Sequence, residues 1–552
     1  MTSPILEINK ISSTTSIGTG QEILKSYHSN ELFIAIVGPA GAGAGTAAKL
    51  LEAFFEDSEY EAKTVKASTL IRETAIKHGL EVPAEDLRKS IGTITKMQDR
   101  GDDLRQGNYP GGQEDHSAVA RLVLRKIAKL RAELQGKPFS ESSKVEPDGR
   151  KRVYVIDSLR HPAEVQLLRS VYQDAFALVG VVCDPAVRER RIRENLFDRS
   201  VHGHEKTKRE VKNFLERDEN SPQKFGQHVS DTFQESDFFV DNTEKGDETL
   251  SVTGMNDSLK RFVSLIGHNK IVRPTISETA MHQARSAQMR SACLSRQVGA
   301  ALVDGSGNIV ATGTNEAPKA GGGVYGEGFD VDETADHRCA FRETVYCSSN
   351  REQNEIIEEL IDTFPNLTQT EKKYEILKKI RKTRVGSLLE FSRAVHAEMD
   401  AILSASLSGV STKGCRLYVT TYPCHYCARH IVAAGIDEVQ FIEPYPKSKA
   451  TDLHSDAITT ESDGWVAPSK QPYLTEEGKE GHFKEAPKVL FKPFVGVSPR
   501  MYRRVFLKDR DYKNKVTGER IEASPDWSGP LDSLKISYVE LELELGLGGT
   551  DG

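Results

Sequence analysis

The chain has 552 residues and a net charge of −7, with 38% hydrophobic and 28% charged side chains. At roughly 150 residues per domain, that length predicts three or four domains, or two large ones. A mean hydropathy of −0.47 and a pI of about 6.2 describe a globular mix, too apolar for wholesale disorder and with no global pull toward nucleic acid.

Residues 1–30 read as a polar lead-in, with Ser-Ser-Thr-Thr-Ser at 12–16. They lack the basic start and apolar block of a secretory signal. No stretch approaches the roughly 20 apolar residues of a membrane helix. Seven cysteines, odd in number and crowded toward the second half, do not form the pattern of a disulfide framework. The expectation is a reduced, cytoplasmic protein without membrane contact, whose cysteines are candidate metal ligands.

Ordered texture begins at Glu31. Residues 32–37 (LFIAIV) form a continuous apolar run, the pattern of a strand buried on both faces. A glycine-rich turn and a helix through Leu50, Leu51 and Phe54 follow. Further strand signals lie at 153–156, ending at Asp157, at 176–182, ending at Cys183-Asp184, and at 238–240. Such runs, separated by long helical segments, predict a parallel sheet with crossover helices over residues 31–269.

The second domain is predicted over 270–545. It opens with a helix at 278–294, then strands at 298–303 and 309–313 joined by Asp304-Gly305-Ser306-Gly307. A long insertion at 317–371 reads as irregular. Then come a helix containing 394–403, a strand at 416–420, a helix from Cys424 and a strand at 438–442. A polar extension, 446–545, carries one apolar patch at 489–497.

The most specific signal is His396-Ala397-Glu398 followed by Pro423-Cys424-His425-Tyr426-Cys427, the H-x-E…P-C-x-x-C pattern of zinc nucleobase deaminases. A Cys-x-x-Cys at a helix start aims two sulfurs at one point, and the positive helix end favours thiolate. With His396, Cys424 and Cys427 as ligands, a tetrahedral Zn²⁺ keeps one open position, which marks a catalytic site. Zinc lowers the pKa of water toward 7. Glu398, two residues from the histidine, is placed to shuttle protons to the ring nitrogen and the leaving ammonia. A lone Cys-x-x-Cys would fit a redox pair or half a structural zinc site equally well; the full pattern does not.

Residues 38–46, Gly-Pro-Ala-Gly-Ala-Gly-Ala-Gly-Thr, join a buried strand to a helix, the setting of a phosphate-binding loop. Gly38 and Gly43 fit G-x-x-x-x-G-K-[ST], but Ala44 takes the lysine slot and Gly45 the hydroxyl slot, with Thr46 one position late. Gly38, Gly41, Gly43, Gly45 and Thr46 are the candidate nucleotide-binding residues; without the lysine, binding is expected and phosphoryl transfer is not. Asp157 resembles a Walker B acid, and Arg188, Arg190, Arg191 and Arg193 resemble the arginine-bearing lid of nucleoside monophosphate kinases. Because Glu189 and Glu194 interleave with these arginines, a solvated helix face is the expected reading of that cluster.

Residues 285–442 resemble the deoxycytidylate deaminase branch of the cytidine deaminase superfamily. Besides the zinc motif, Ser295-Arg296-Gln297-Val298-Gly299-Ala300 resembles its first strand. Thr312-Gly313-Thr314-Asn315-Glu316-Ala317-Pro318 resembles its sugar- and phosphate-contacting loop, and residues 417–423 (LYVTTYP) its approach to the cysteines. The resemblance implies that Asn315 contacts the deoxyribose or base; its carboxamide offers donor and acceptor, and a turn-capping role is the alternative. Some members of the branch bind a second, structural zinc, so His337, Cys339 and Cys347 are either its ligands or free thiols.

The P-loop-like domain fused to this deaminase resembles the bacterial anti-phage dCTP deaminases over nearly the whole chain, including residues 443–448 (EPYPKS) and 494–500 (FVGVSPR). That resemblance implies an α/β chain, a P-loop kinase-like parallel sheet with flanking helices followed by a cytidine-deaminase-like α/β/α domain. It further implies a homo-oligomeric enzyme that converts dCTP and dCMP to uracil deoxynucleotides and starves phage replication. The first domain would be regulatory, with a nucleotide or an inhibitory RNA as its ligand. Lys319, Lys447, Lys449, His454 and Arg500 are candidate triphosphate contacts. A housekeeping dCMP deaminase and a polynucleotide cytosine deaminase share the catalytic residues, although the first does not explain the extra domain. The second needs a basic, aromatic-lined channel that 7% aromatic residues hardly supply.

Overall fold

The computed structural model describes residues 29–84, 89–140, 144–243, 248–268, 270–326, 336–368, 372–388, 390–445, 447–470, 487–508, 511–521 and 539. Nearly all of the polar lead-in, the domain boundary near residue 269 and the acidic part of the insertion lie outside them.

β1 (Glu31–Val37) is buried along its whole length, as the central strand of a sheet covered on both faces must be. It pairs in parallel with β3 (Arg152–Asp157) and β4 (Phe176–Val182). β2 (Glu61–Lys66) and β5 (Phe238–Asp241) flank these, also in parallel, in the order β5-β4-β1-β3-β2. The intervening chain forms α1 (Ala44–Glu56), α2 (Ala67–Lys77), α3 (Ile91–Gln106), α4 (Ala118–Leu134), α5 (Pro162–Tyr172), α6 (Pro185–Leu196), α7 (Glu205–Glu219), α8 (Val229–Phe233) and α9 (Glu248–Ile266). β1, β3, β4 and β5 stand where the apolar runs predict them. β2 is new: its Glu-Ala-Lys-Thr-Val-Lys sequence buries only Ala62 and Val65, so an edge strand leaves no continuous apolar run to read.

The second sheet has the order β10-β11-β9-β8-β6-β7. It is built after α10 (Ile276–Gln288) from β6 (Gly299–Val303), β7 (Ile309–Thr314), β8 (Arg416–Thr421), β9 (Glu438–Glu443), β10 (Ile458–Thr459) and β11 (Val489–Pro493), with α11 (Ser348–Thr363), α12 (Lys373–Arg381), α13 (Ala397–Leu407), α14 (His425–Ala433) and α15 (Ala450–Leu453) between them. β6 pairs antiparallel with β7 and β8, whereas β8, β9, β11 and β10 run parallel. Alternating side chains separate the two faces: Ala300, Leu302, Leu417 and Val419 pack with α13 and α14, and Ala301, Val303 and Tyr418 pack with Ala280, Met281 and Ala284 of α10. The result is the expected α/β/α layering.

Two expectations change. The first helix ends at Gln288 rather than 294, because Ser291 and Ala292 turn back to bond the Asn315 carbonyl and the Glu316 carboxylate. The insertion is not irregular throughout: α11 lies within it and, with α12 just beyond it, packs Ile357, Ile361 and Ile376 into a small core, a helical spacing that the many polar residues conceal.

The apolar patch at 489–497 divides between the sheets. After β11, the two-residue β12 (Gly496–Val497) pairs antiparallel with β5 and so extends the first sheet. α16 (Pro499–Phe506) then buries Met501, Val505 and Phe506 in the first domain's core. Phe494 meets Phe239 edge-on at 6.1 Å, and Val182 of β4 joins the α10 cluster. The two sheets therefore share packed side chains.

Glu278, fully buried, anchors this junction. It accepts from both terminal nitrogens of Arg261 at 2.6 and 2.7 Å, from the Thr275 amide in a capping box and from the Val497 amide at 2.8 Å. Gly496, at φ 118°, leaves room for it, since a Cβ there would lie 2.7 Å from the Glu278 Oε1. Removing one partner of a buried pair strands a charge and costs about 3–5 kcal/mol. Glu278→Ala is expected to lower unfolding free energy by that amount in denaturant titrations, whereas Glu205→Ala, which breaks the exposed Lys208 pair, changes it by less than about 1 kcal/mol.

Candidate active site

The predicted ligands converge. His396 is the N-cap of α13 and Cys424 the N-cap of α14, with β8 lying between them in sequence. A cap residue is extended, so its side chain lies across the first turn of amides. His396 Nδ1 is 3.3 Å from the sulfurs of both Cys424 and Cys427. The Cys427 amide donates to the Cys424 sulfur at 3.4 Å, a contact that favours thiolate at a helix start.

The three ligand atoms lie within 4.8 Å of one another, and this is the only such group of three among the described residues. One imidazole and two sulfurs with a fourth side open are the donor set of catalytic zinc, so the residues fit the ion. The hydrogen bond from the Cys427 thiol, reinforced against burial by His396, holds Cys424 down at about 4. The same hydrogen bond, with burial, pushes Cys427 up.

Glu398 is 4% exposed, and burial lifts its carboxyl to about 7 against the pull of His396. A buried carboxyl raised in this way is suited to take up and return a proton. Its helix is fixed by two close approaches. Asp400 accepts from the Thr314 amide at 2.9 Å, and at Gly313 a Cβ would stand 2.1 Å from the Ala397 carbonyl oxygen.

His396, Glu398 and Cys424 line a cavity of about 410 Å³. Asn315 lines it too, but its carboxamide donates to the Arg296 carbonyl and accepts from the Val298 amide, both at 2.6 Å. The side chain thus braces the 296–298 segment and keeps one N–H for other use. Of the five candidate triphosphate contacts only Lys447 reaches the cavity. Arg500 instead pairs with Glu235 at 2.6 Å and Lys449 with Asp452 at 2.8 Å, while Lys319 and His454 are also absent from the walls.

The sequence reading missed Arg296 and Arg393 as wall residues, because segments far apart in the chain bring them there. Arg296 stands 3.5 Å from Glu443; Arg393 bonds the His337 carbonyl. Cys339 and Cys347 line this same cavity and form no second group of three metal-ligand side chains among the described residues.

Gly38, Gly41 and Gly43 lie between β1 and α1 at the first sheet, and Gly45 and Thr46 lie in the first turn of α1. Asp157 reaches that loop: its Oδ2 is 3.7 Å from where a Gly45 Cβ would be. The arginine cluster is not the solvated face expected of it. Arg188 is 7% exposed, and Arg191 donates to the carbonyls of Gly41 and Asn242. Arg193, paired with Glu189, keeps the surface role.

Residues 274–443 match the family model of the cytidine and deoxycytidylate deaminase zinc-binding region. The deoxycytidylate deaminase of Enterobacteria phage T4 is 28% identical over 173 residues, 31% of this chain and 80% of the phage protein. ComE operon protein 2 of Bacillus subtilis is 50% identical over 54 residues, 10% of this chain. The chain thereby matches 29% of that relative's length. The crystal structure of the dCMP deaminase from cyanophage S-TIM5 with dCMP and dUMP shares 21% identity over 33% of this chain and 93% of that one, at a TM-score of 0.20.

Inserting a methyl at Gly313 overpacks β7 against α13 and costs about 1–3 kcal/mol. Gly313→Ala is expected to lower both the unfolding midpoint and the bound zinc measured by elemental analysis, while Cys424→Ala loses zinc outright. Residues 274–443 thus match the zinc-binding region of the cytidine and deoxycytidylate deaminases, and the His396–Cys424–Cys427 group that could hold the metal lies within them.

Proposed function

We propose that this protein is a hydrolytic deaminase that converts dCTP, and dCMP with it, to dUTP and dUMP. The observation that carries this reading is the buried Glu398 carboxyl beside the His396–Cys424–Cys427 group in one cavity. When bound, zinc supplies a nucleophile at neutral pH by lowering the pKa of a water molecule. Glu398 accepts the first proton that water gives up and passes it to the ring nitrogen, then takes the second from the hydroxyl now on the ring carbon and delivers it to the exocyclic amine, which leaves as ammonia. Burial of Glu398 excludes the bulk water that would otherwise compete for its proton.

Arg296, Arg393 and Lys447 on the cavity wall supply positive charge for the phosphates of a nucleotide. A cavity of about 410 Å³ has the size of a small-molecule site. The joined first domain and the resemblance to bacterial anti-phage dCTP deaminases support a role in depleting cytosine deoxynucleotides during infection, as a homo-oligomer restrained by a ligand of the first domain. Thymidylate supply from dCMP is the second reading, favoured by the likeness to deoxycytidylate deaminases.

Purified protein incubated with dCTP, dCMP, CTP, CMP and a single-stranded cytosine oligonucleotide decides among these. Conversion of dCTP, abolished in Glu398→Ala while zinc content is kept, is the expected outcome. Turnover of dCMP alone selects thymidylate supply, and turnover of the oligonucleotide alone overturns both. Glu398→Ala with full turnover overturns the proton-shuttle assignment.

A further inference from the structure

The glycine-rich loop has Ala44 where a phosphate-binding loop carries lysine, yet its backbone is arranged for an anion. Gly41 and Gly43 take positive φ, 82° and 93°, which turns successive peptide groups inward. Among the described residues the N–H groups of Gly41, Gly43, Ala44 and Gly45 donate to no acceptor in the protein. They stand at the start of the 13-residue α1, whose first turn contains no acid. Amides clustered at a helix N-terminus attract anions.

A second, independent feature lies against this loop. Arg188 on α6 is 7% exposed, and its backbone packs on Gly41, where a Cβ would be 2.9 Å from the Arg188 carbonyl oxygen and 3.2 Å from its Cβ. Its Nη2 reaches Glu219, the last residue of α7, at 2.7 Å. Nε and Nη1 are buried and have no partner. Buried donors of a cation without acceptors are costly, and an anion on the loop would satisfy them.

Asp218, 1% exposed, bounds the site. Its Oδ2 accepts from the Ala40 amide at 2.7 Å, and its Oδ1 accepts from Arg160 at 2.6 Å and Gln98 at 3.1 Å. A carboxylate therefore holds the next amide of the loop, and a further phosphate group there would meet a negative charge.

We propose that the Gly38–Thr46 loop binds the phosphate end of a nucleoside mono- or diphosphate, with Arg188 supplying the counter-charge that Ala44 cannot, and with Asp218 excluding a third phosphate. The proposal rests on the reading of this loop as a phosphate site and is independent of the deamination chemistry.

Calorimetric titration of the full chain with ADP, ATP, pyrophosphate and inorganic phosphate tests it. ADP binds and ATP binds more weakly. Pyrophosphate binding as tightly as ADP assigns recognition to the phosphates alone, and ADP binding more tightly adds the nucleoside. Arg188→Gln weakens ADP binding by about 10- to 100-fold, the loss of one charge-assisted hydrogen bond. Arg188→Lys keeps part of the affinity, and Ala44→Lys in the Arg188→Gln background regains it, which separates lost charge from misfolding. Asp218→Asn brings ATP binding toward that of ADP. No binding of ADP or pyrophosphate by the wild-type chain, or unchanged ADP binding in Arg188→Gln, overturns the proposal. ATP binding as tight as ADP in the wild type overturns the limit set by Asp218. Deamination assayed on the same samples reports on the active site alone, so loss there leaves the loop's result standing.

Discussion

The architecture turns on one buried carboxylate. Glu278 caps the helix that opens the second domain, pairs with an arginine from the last helix of the first, and accepts from the strand that the chain's end adds to the first sheet. A lone buried charge is prohibitive, but one that accepts four donors is held firmly. Through it, α9, α10 and β12 keep fixed relative positions. The second sheet packs on the other side of α10, so the candidate site stands on a sheet that shares packed side chains with the first domain.

The active site itself is an arrangement of helix starts. Two N-cap side chains on either side of one strand meet above the end of the sheet, and the first-turn amides of α14 stabilise sulfur charge there. Holding the histidine and cysteines at bonding distance needs helices that sit unusually close to the sheet. A glycine permits this for α13: at Gly313 a Cβ would stand 2.1 Å from the Ala397 carbonyl oxygen. Glu398 rides on α13, so its burial and its raised carboxyl follow from the same packing.

The first domain uses the same physics for another end. Its loop joins the central strand to a helix start, but the charges around it come from elsewhere in the chain. Arg188 and Arg191 approach from α6, Asp218 from α7, and the Asn242 carboxamide donates to the Ala42 carbonyl at 2.7 Å. In a loop without lysine, these long-range neighbours supply the charged and polar groups around it.

The His396–Cys424–Cys427 group and Glu398 beside it were legible because metal chemistry demands fixed residue types at fixed spacing. The buried strands were legible because continuous apolar runs have few other uses. The edge strand β2 and the helices of the insertion escaped, since half-wet elements carry only part of a period. What the sequence by itself determined, then, is the His396–Cys424–Cys427 donor set with Glu398 beside it, and the two α/β layers that bear it. Only the tertiary structure decided that Arg296 and Arg393 line the cavity, that Asn315 braces a neighbouring segment, that Arg188 lies buried on the phosphate loop, and that residues 496–506 return to the first domain. Those outcomes depend on partners more than a hundred residues away or on how a side chain's hydrogen bonds are already engaged. Local spacing holds no record of either.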